Sequence, residues 1–406
     1  MKVLHITSAG KLAGAGLAAL NLHEELLRNG IDSRILFLKE NENKNKRVFS
    51  YVKSFKTRLL QKFTSFIDRC LIIKYKTNKS YLFSASIFGL GIHNHPLIKE
   101  ADVIHLHWIN HAFLSIKDIS KINKPIVWTM HDMWAFTGGC HYAYDCTSFT
   151  SSCGFCPVLN SKNKNDLSHY ILQTKLKYLN HKFINFVAIS SWMMELANNS
   201  FFLKNKVKNI VFSGINSSIF FFQDMKADFR KELKLPLDRN IILIGAGDIH
   251  NPAKGVSFTM DALKELDNEI LIINFGHGTI DNDLIKKEVI NVGFISDKYL
   301  MAKYYQASDV FLSTSIAEAF GMTLAEAQCC GTPVVAFSKG GPKDIVEHDK
   351  SGYLAEFGDT NLLTKYLCVS LNLEYNHKLI SENAIKKFSL EKTSKNYVDL
   401  YLKALN

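Results

Sequence analysis

Val310-Phe311-Leu312-Ser313-Thr314-Ser315-Ile316-Ala317-Glu318-Ala319-Phe320-Gly321-Met322-Thr323-Leu324-Ala325-Glu326-Ala327 places a short apolar run, a small-residue turn and a helical segment in direct succession. Gly331-Thr332-Pro333 and a second apolar run, Val334 to Phe337, follow. Two buried strands joined through a helix make a parallel pair, so this stretch predicts an open α/β sheet. Glu318 then falls on the loop at the carboxyl end of a strand, where such sheets bind ligands. Gly321 lets backbone approach a ligand closely, and the helix from about Met322 presents unpaired amides and its positive dipole end. Glu326 lies one to two turns into that helix.

The same alternation runs through the rest of the chain. Strands are predicted at Val3–Thr7, Ser33–Leu38, Val103–His107 and Ile126–Thr129, with an amphipathic helix over Gly16–Asn29 between the first two. A second series begins near Asn240, with runs at Ile241–Ile244, Ile270–Asn274, Val310–Ser313 and Val334–Phe337. At 406 residues the chain exceeds a single compact core. Two doubly wound Rossmann-like domains are therefore expected: residues 1–215, joined by a terminal helix at 389–406, and residues 216–388. The intervening boundary is expected in the irregular stretch Ser213–Lys226.

Net charge is +11, from 49 Lys and Arg against 38 Asp and Glu. Between Lys44 and Lys79 eleven cations meet one acid, Asp68, while Val48, Val52, Phe55, Leu59, Phe63 and Phe66 recur at helical spacing. That pattern reads either as a basic amphipathic helix for an anionic membrane face or as a domain helix with a basic outer side. No nucleic-acid motif accompanies the charge, so nucleic acid is not an expected partner. The opening Met1–Thr7 is strand length, shorter than a secretory h-region, and no later run reaches membrane-span length. The expectation is a cytoplasmic protein, soluble or held at the inner face of the membrane.

A phosphate at the amino end of the 322 helix, with a carboxylate on each side, suits a sugar nucleotide. Glu318 to Glu326, with Gly331-Thr332-Pro333-Val334-Val335-Ala336, resembles the Glu-x7-Glu signature of retaining glycosyltransferases of family 4, which have the GT-B fold. The resemblance extends to Ala101–Trp108, Thr129-Met130-His131-Asp132, Val211–Phe220 and Gly340-Gly341-Pro342, and weakens from residue 41 to about 80. It implies two domains facing a central cleft, with the donor nucleotide mainly in the second and the acceptor mainly in the first. Glu318 would contact the donor sugar and Glu326 the ribose. The loop Phe320-Gly321-Met322-Thr323 would hold the donor between them. Lys254, in Asn251-Pro252-Ala253-Lys254-Gly255, matches the family's phosphate-binding lysine. Ala253 stands where the family often carries an Arg, which leaves His250 or a residue elsewhere to meet the second phosphate. Gly14 and Gly16 would face the donor diphosphate, and His131 the donor sugar; Asp132 caps or orients.

The resemblance implies transfer of a hexose or N-acetylhexosamine from a UDP- or GDP-sugar to a saccharide acceptor, lipid-linked, in bacterial surface-polysaccharide assembly (O-antigen, capsule or exopolysaccharide). Configuration is retained and catalysis needs no metal or other cofactor. The rivals are a nucleotide-sugar epimerase of the same fold and a non-catalytic nucleotide-sugar-binding protein.

Cys140, Cys146, Cys153 and Cys156 cluster as C-x5-C-x6-C-x2-C. A structural zinc site is the first reading of four cysteines so spaced in a reducing compartment. An iron–sulfur cluster and four ordinary buried thiols are the alternatives.

Overall fold

A computed structural model describes residues 1–77, 81–267 and 269–405. Lys79, at the end of the basic run, and Asn406, at the end of the expected terminal helix, lie outside these residues. The chain divides into two compact units, Met1–Phe212 with Thr393–Asn406, and Ser213–Lys392. Residues 213–215 belong to the second because Ile215 accepts from the Leu390 amide and donates to Phe388, both at 2.8 Å.

The first unit holds seven strands: β1 (Lys2–Thr7), β2 (Asp32–Phe37), β3 (Val48–Ser50), β4 (Val103–Leu106), β5 (Ile126–Met130), β6 (Ile184–Ala188) and β7 (Lys208–Ile210). They pair in parallel in the order β3-β2-β1-β4-β5-β6-β7. The second holds β8 (Ile241–Asp248), β9 (Leu271–His277), β10 (Val289–Gly293), β11 (Val310–Ser313), β12 (Val334–Phe337) and β13 (Gly352–Ala355), also parallel, in the order β10-β9-β8-β11-β12-β13. Both sheets reverse strand order once, between β1 and β4 and between β8 and β11, so each unit is doubly wound with its own switch point. Central strands such as β12 are buried throughout, which is why they read as unbroken apolar runs rather than alternating ones.

The carboxyl-terminal helix Leu390–Leu405 returns to the first unit. Its Tyr397, Leu400 and Tyr401 join a core with Val3, Leu22, Leu26, Val103, Val127 and Val187.

The basic stretch departs from its sequence reading. The helical spacing counted from Val48 breaks, because Val48 forms the edge strand β3 and helix α2 spans only Phe55–Ile73. Ser54 starts α2: its hydroxyl accepts the Thr57 amide, and its own amide donates to Thr57 Oγ1. The helix is also turned inside out. Its buried residues are Thr64 and Asp68, whereas Phe55 (79%), Leu59 (59%), Phe63 (61%) and Phe66 (61%) are exposed. Asp68 explains the inversion: its carboxylate accepts the backbone amides of Ser86, Ile87 and Phe88 at 2.9–3.1 Å. A polar residue anchors this helix, and its apolar stripe faces outward, the reverse of a helix packed on a core.

Candidate active site

At the switch point of the second unit, two loops are laced together. The turn after β8, capped by Asn251, carries Lys254 and ends at Gly255 with φ 64°. The loop after β11 docks onto it: Ile316 donates to the Ala253 carbonyl at 2.8 Å, and the Thr314 hydroxyl to the Lys254 and Gly255 carbonyls at 3.1 Å. A Cβ on Gly255 would lie 2.3 Å from the Thr314 carbonyl, so only glycine permits this approach. The result is an ion pair, Lys254 Nζ to Glu318 Oε2 at 2.6 Å, with Ser315 Oγ donating to the same oxygen at 3.4 Å. Lys254 and Glu318 stand 64 positions apart in sequence.

Gly321, at φ 106°, turns the chain into the helix Met322–Cys329, and no side chain caps that helix. Met322 and Thr323 occupy its first turn, where amides lack intrahelical acceptors. Phe320 precedes this turn. Its side chain is buried at 2% exposure, edge-on to Phe388 at 5.5 Å, so it can meet a ligand only through backbone. The turn Gly340–Gly341 buttresses this loop from behind, with the Gly341 amide donating to the Glu318 carbonyl at 2.9 Å. Glu326 is half-buried and accepts from the Tyr305 hydroxyl at 3.1 Å. Burial pushes its carboxyl up to about 7, against the opposing effect of that hydrogen bond. Tyr305 is fully buried, and its partnership with Glu326 was not legible in the sequence.

Gly14, Gly16 and His131 belong to the first unit. Gly14 opens α1 (Gly14–Arg28), and a Cβ there meets nothing within 4 Å. Gly16 has a local packing reason: a Cβ would lie 2.1 Å from the Gly10 carbonyl. His131 follows β5 and heads a file of imidazoles. Its Nε2 pairs with His107 Nδ1 at 3.0 Å, and His107 Nε2 with His5 Nδ1 at 3.0 Å. Burial lowers His131 to about 4, so it is a neutral imidazole at pH 7. Asp132 accepts from the Trp134 amide at 2.8 Å, Trp108 Nε1 at 2.8 Å and His141 Nδ1 at 2.6 Å, the arrangement of an orienting group.

His5, His105 and His107 bring ring nitrogens within 4.8 Å of one another. Both His105 nitrogens are engaged, by the Tyr401 hydroxyl at 2.6 Å and Thr129 at 2.7 Å. His105 is therefore a fully hydrogen-bonded core residue, while the buried Nε2 of His5 has no partner among the described residues; the sequence signal was the His-x-His alternation on and just after β4, which puts both rings on one sheet face. Cys140, Cys146, Cys153 and Cys156 line one small cavity of the first unit, and no cysteine forms a disulfide.

The Glycosyl transferases group 1 family profile matches residues 225–387. WcaC of Escherichia coli K12, whose name assigns it to colanic acid biosynthesis as a glycosyl transferase, is 23% identical over 87% of this chain and 86% of its own length. An uncharacterised 41.2 kDa protein of the cps region of Klebsiella pneumoniae is 25% identical over 99% of both chains. Sucrose-phosphate synthase from Thermosynechococcus elongatus superposes with TM-score 0.69 at 17% identity, covering 99% of each chain. HepE of Anabaena, in complex with UDP-glucose, superposes with TM-score 0.64 at 17% identity, covering 99% of this chain and 100% of its own. The two-sheet architecture is thus that of the GT-B fold, and the segment similar to the Glycosyl transferases group 1 family, residues 225–387, carries Lys254, Glu318 and Glu326.

Proposed function

We propose that this chain is a retaining glycosyltransferase of family 4, moving a hexose or N-acetylhexosamine from a UDP- or GDP-sugar to a saccharide acceptor. The observation that carries this reading is the Lys254–Glu318 pair beside the uncapped amino end of the Met322–Cys329 helix. Lys254 and the first-turn amides meet the diphosphate, whose negative charge grows as the sugar leaves. Glu318 accepts from sugar hydroxyls, and Glu326 from the ribose. The bond from the anomeric carbon to the diphosphate breaks while the acceptor oxygen bonds the same face. The acceptor's proton passes to the departing phosphate oxygen, so neither a metal nor a charged histidine is required. The colanic acid and cps-region names of the relatives support a role in surface-polysaccharide assembly.

Glu326 makes the donor site testable by pH. The folded chain holds this proton to about pH 7, against an ordinary value of 4.5. Stability from this group is therefore full below about pH 4.5 and is lost as pH rises through 7. Ribose hydroxyls favour the ionised carboxylate, so nucleotide-sugar binding must expel the proton below pH 7. UDP-glucose and GDP-mannose, screened by thermal shift and titrated by calorimetry, are the probes. One of them should raise Tm and bind roughly tenfold more tightly at pH 8 than at pH 6. Glu326→Gln should flatten that pH dependence. Binding of neither, or of NAD alone, sinks the reading; donor turnover without transfer to any saccharide would favour the epimerase.

A lipid-linked acceptor and an anionic membrane surface complete the proposal. The exposed stripe Phe55, Leu59, Phe63, Phe66 on α2 is interleaved with Lys56, Arg58, Lys62 and Arg69. Apolar side chains flanked by cations suit the acyl–headgroup boundary. The helix borders a groove of about 450 Å³ that is also lined by Lys62 and Arg69. Among the described residues no helix is long and apolar enough to cross a membrane. The chain should float with phosphatidylglycerol vesicles and not with phosphatidylcholine ones, and Phe63→Glu with Phe66→Glu should abolish flotation. Equal recovery with neutral vesicles, or none with either, refutes the surface.

A further inference from the structure

Between Asp132 and Asp166 the chain has no regular structure beyond single turns at Met133–Ala135 and Ser148–Thr150. Loops of this length inside a compact unit call for a specific support. The segment nevertheless buries Cys140, Phe149, Cys156, Val158 and Leu159. It also holds Tyr144, Cys153, Phe155 and Asn160 at positive φ, where side chains are strained. No disulfide secures it, although four thiols converge on one cavity of about 20 Å³.

Two further observations concern what surrounds those sulfurs. Backbone donors face two of them: the Gly138 amide toward Cys153, and the Val158 and Leu159 amides toward Cys156. Amides two and three residues past a cysteine, both facing its sulfur, are donors that a metal-bound thiolate can use, although burial by itself raises the Cys153 and Cys156 thiols. Lys175, from the helix Leu167–Leu179, is fully buried. Its ammonium donates to the Trp134 and Thr137 carbonyls and lies 3.8 Å from the centre of the Trp134 ring. The groups of opposite sign within its reach are Cys153, Cys140 and Asp132. An ammonium beside these thiols can offset part of the negative charge that metal-bound thiolates would bring.

We propose that Cys140, Cys146, Cys153 and Cys156 bind one zinc ion as a closed tetrathiolate. As four Zn–S bonds form, the four S–H protons pass to solvent, leaving a complex of charge −2 that Lys175 partly offsets. Zn–S bonds of about 2.3 Å bring all four sulfurs together. Among the described residues no three of these sulfurs all lie within 4.8 Å of one another, so closing the shell turns the side chains inward around their cavity. Four protein ligands leave no open position, which makes the site structural. Its effect reaches the ligand-binding end of the sheet through the next residue. His141 bonds Asp132 at 2.6 Å and Ser84 at 2.9 Å, and Asp132 adjoins His131. The metal would therefore fix the loop whose His141 holds Asp132, the residue that follows His131.

The full chain, purified under reducing conditions without chelator, should contain about one zinc per chain by elemental analysis. A mercurial should release it stoichiometrically. Exchange with cobalt(II) should give the visible spectrum of a tetrahedral tetrathiolate. Cys153→Ser and Cys156→Ser should lose the metal, and Cys368→Ser, at an exposed thiol of the other unit, should keep it. Should the serine variants fail to fold, stoichiometry and the cobalt spectrum of the unaltered chain decide. A chain that is metal-free and takes up no added zinc overturns the proposal. So does one whose four thiols are paired as disulfides, or one bearing an iron–sulfur chromophore.

Discussion

Lys254→Ala should lower transfer by about 100- to 1,000-fold while leaving the fold intact, the loss typical when one preorganised charge stabiliser is removed. Lys254 Nζ sits 2.6 Å from Glu318, on loops fixed to each other through the Ala253, Lys254 and Gly255 carbonyls. The ammonium is therefore already positioned before a diphosphate arrives, and little reorganisation opposes its action. The stability change should be small, because the pair is partly solvated, with 29% of the lysine side chain exposed, and such pairs contribute about 1 kcal/mol or less. Release of nucleoside diphosphate from the donor identified by thermal shift measures the rate, and circular dichroism checks the fold. Glu318→Gln separates the roles: it should retain diphosphate binding, which depends on Lys254, and lose donor turnover. Wild-type turnover in Lys254→Ala would remove this residue from the site.

Gly341→Ala is expected to be the second most damaging change, and for a purely steric reason. Gly341 has φ −57°, a value alanine adopts without strain. A Cβ there, however, would lie 2.0 Å from the Phe320 carbonyl oxygen and 2.5 Å from the Phe320 Cα. Every one of these contacts is backbone, so the loop Glu318–Gly321 must shift. Overpacking of this sort costs about 1–3 kcal/mol. The larger effect should fall on ligand binding, since the displaced segment carries the Glu318 carboxylate and the turn into the Met322–Cys329 helix. The nucleotide-sugar thermal shift should vanish even where the protein remains folded. Gly14→Ala is the control for stability, because nothing lies within 4 Å of the added carbon. Full ligand response in Gly341→Ala would show that the turn does not support the site.

The α/β class and the alternation of strands were legible because both sheets are parallel and buried on both faces. Runs such as Ile241–Ile244 and Val334–Phe337 had to be wholly apolar, and their ends had to be small or glycine-rich. Short edge strands escaped notice. β3 and β7 are three residues each, too short for a run to stand out against loop. Spacing alone also misled in the basic segment. Periodicity identifies a helix with two unlike faces, but it does not say which face turns inward. On α2 the answer came from Asp68 and the amides of Ser86 to Phe88, about twenty positions away.

Local order along the chain thus determined which residues end strands and open helices, and so placed Lys254, Glu318 and Glu326 at carboxyl ends or helix starts. Local order also drew four cysteines into one loop. Tertiary structure alone decided what each of those groups faces. It paired Lys254 with Glu318, set Tyr305 against Glu326, sent the Phe320 ring into the core, and aligned His5, His107 and His131 in a hydrogen-bonded file. The division has one physical cause. Backbone propensity and hydrophobic period act over a few residues, whereas the charge, burial and hydrogen bonding that set a side chain's chemistry come from groups brought together by the sheet.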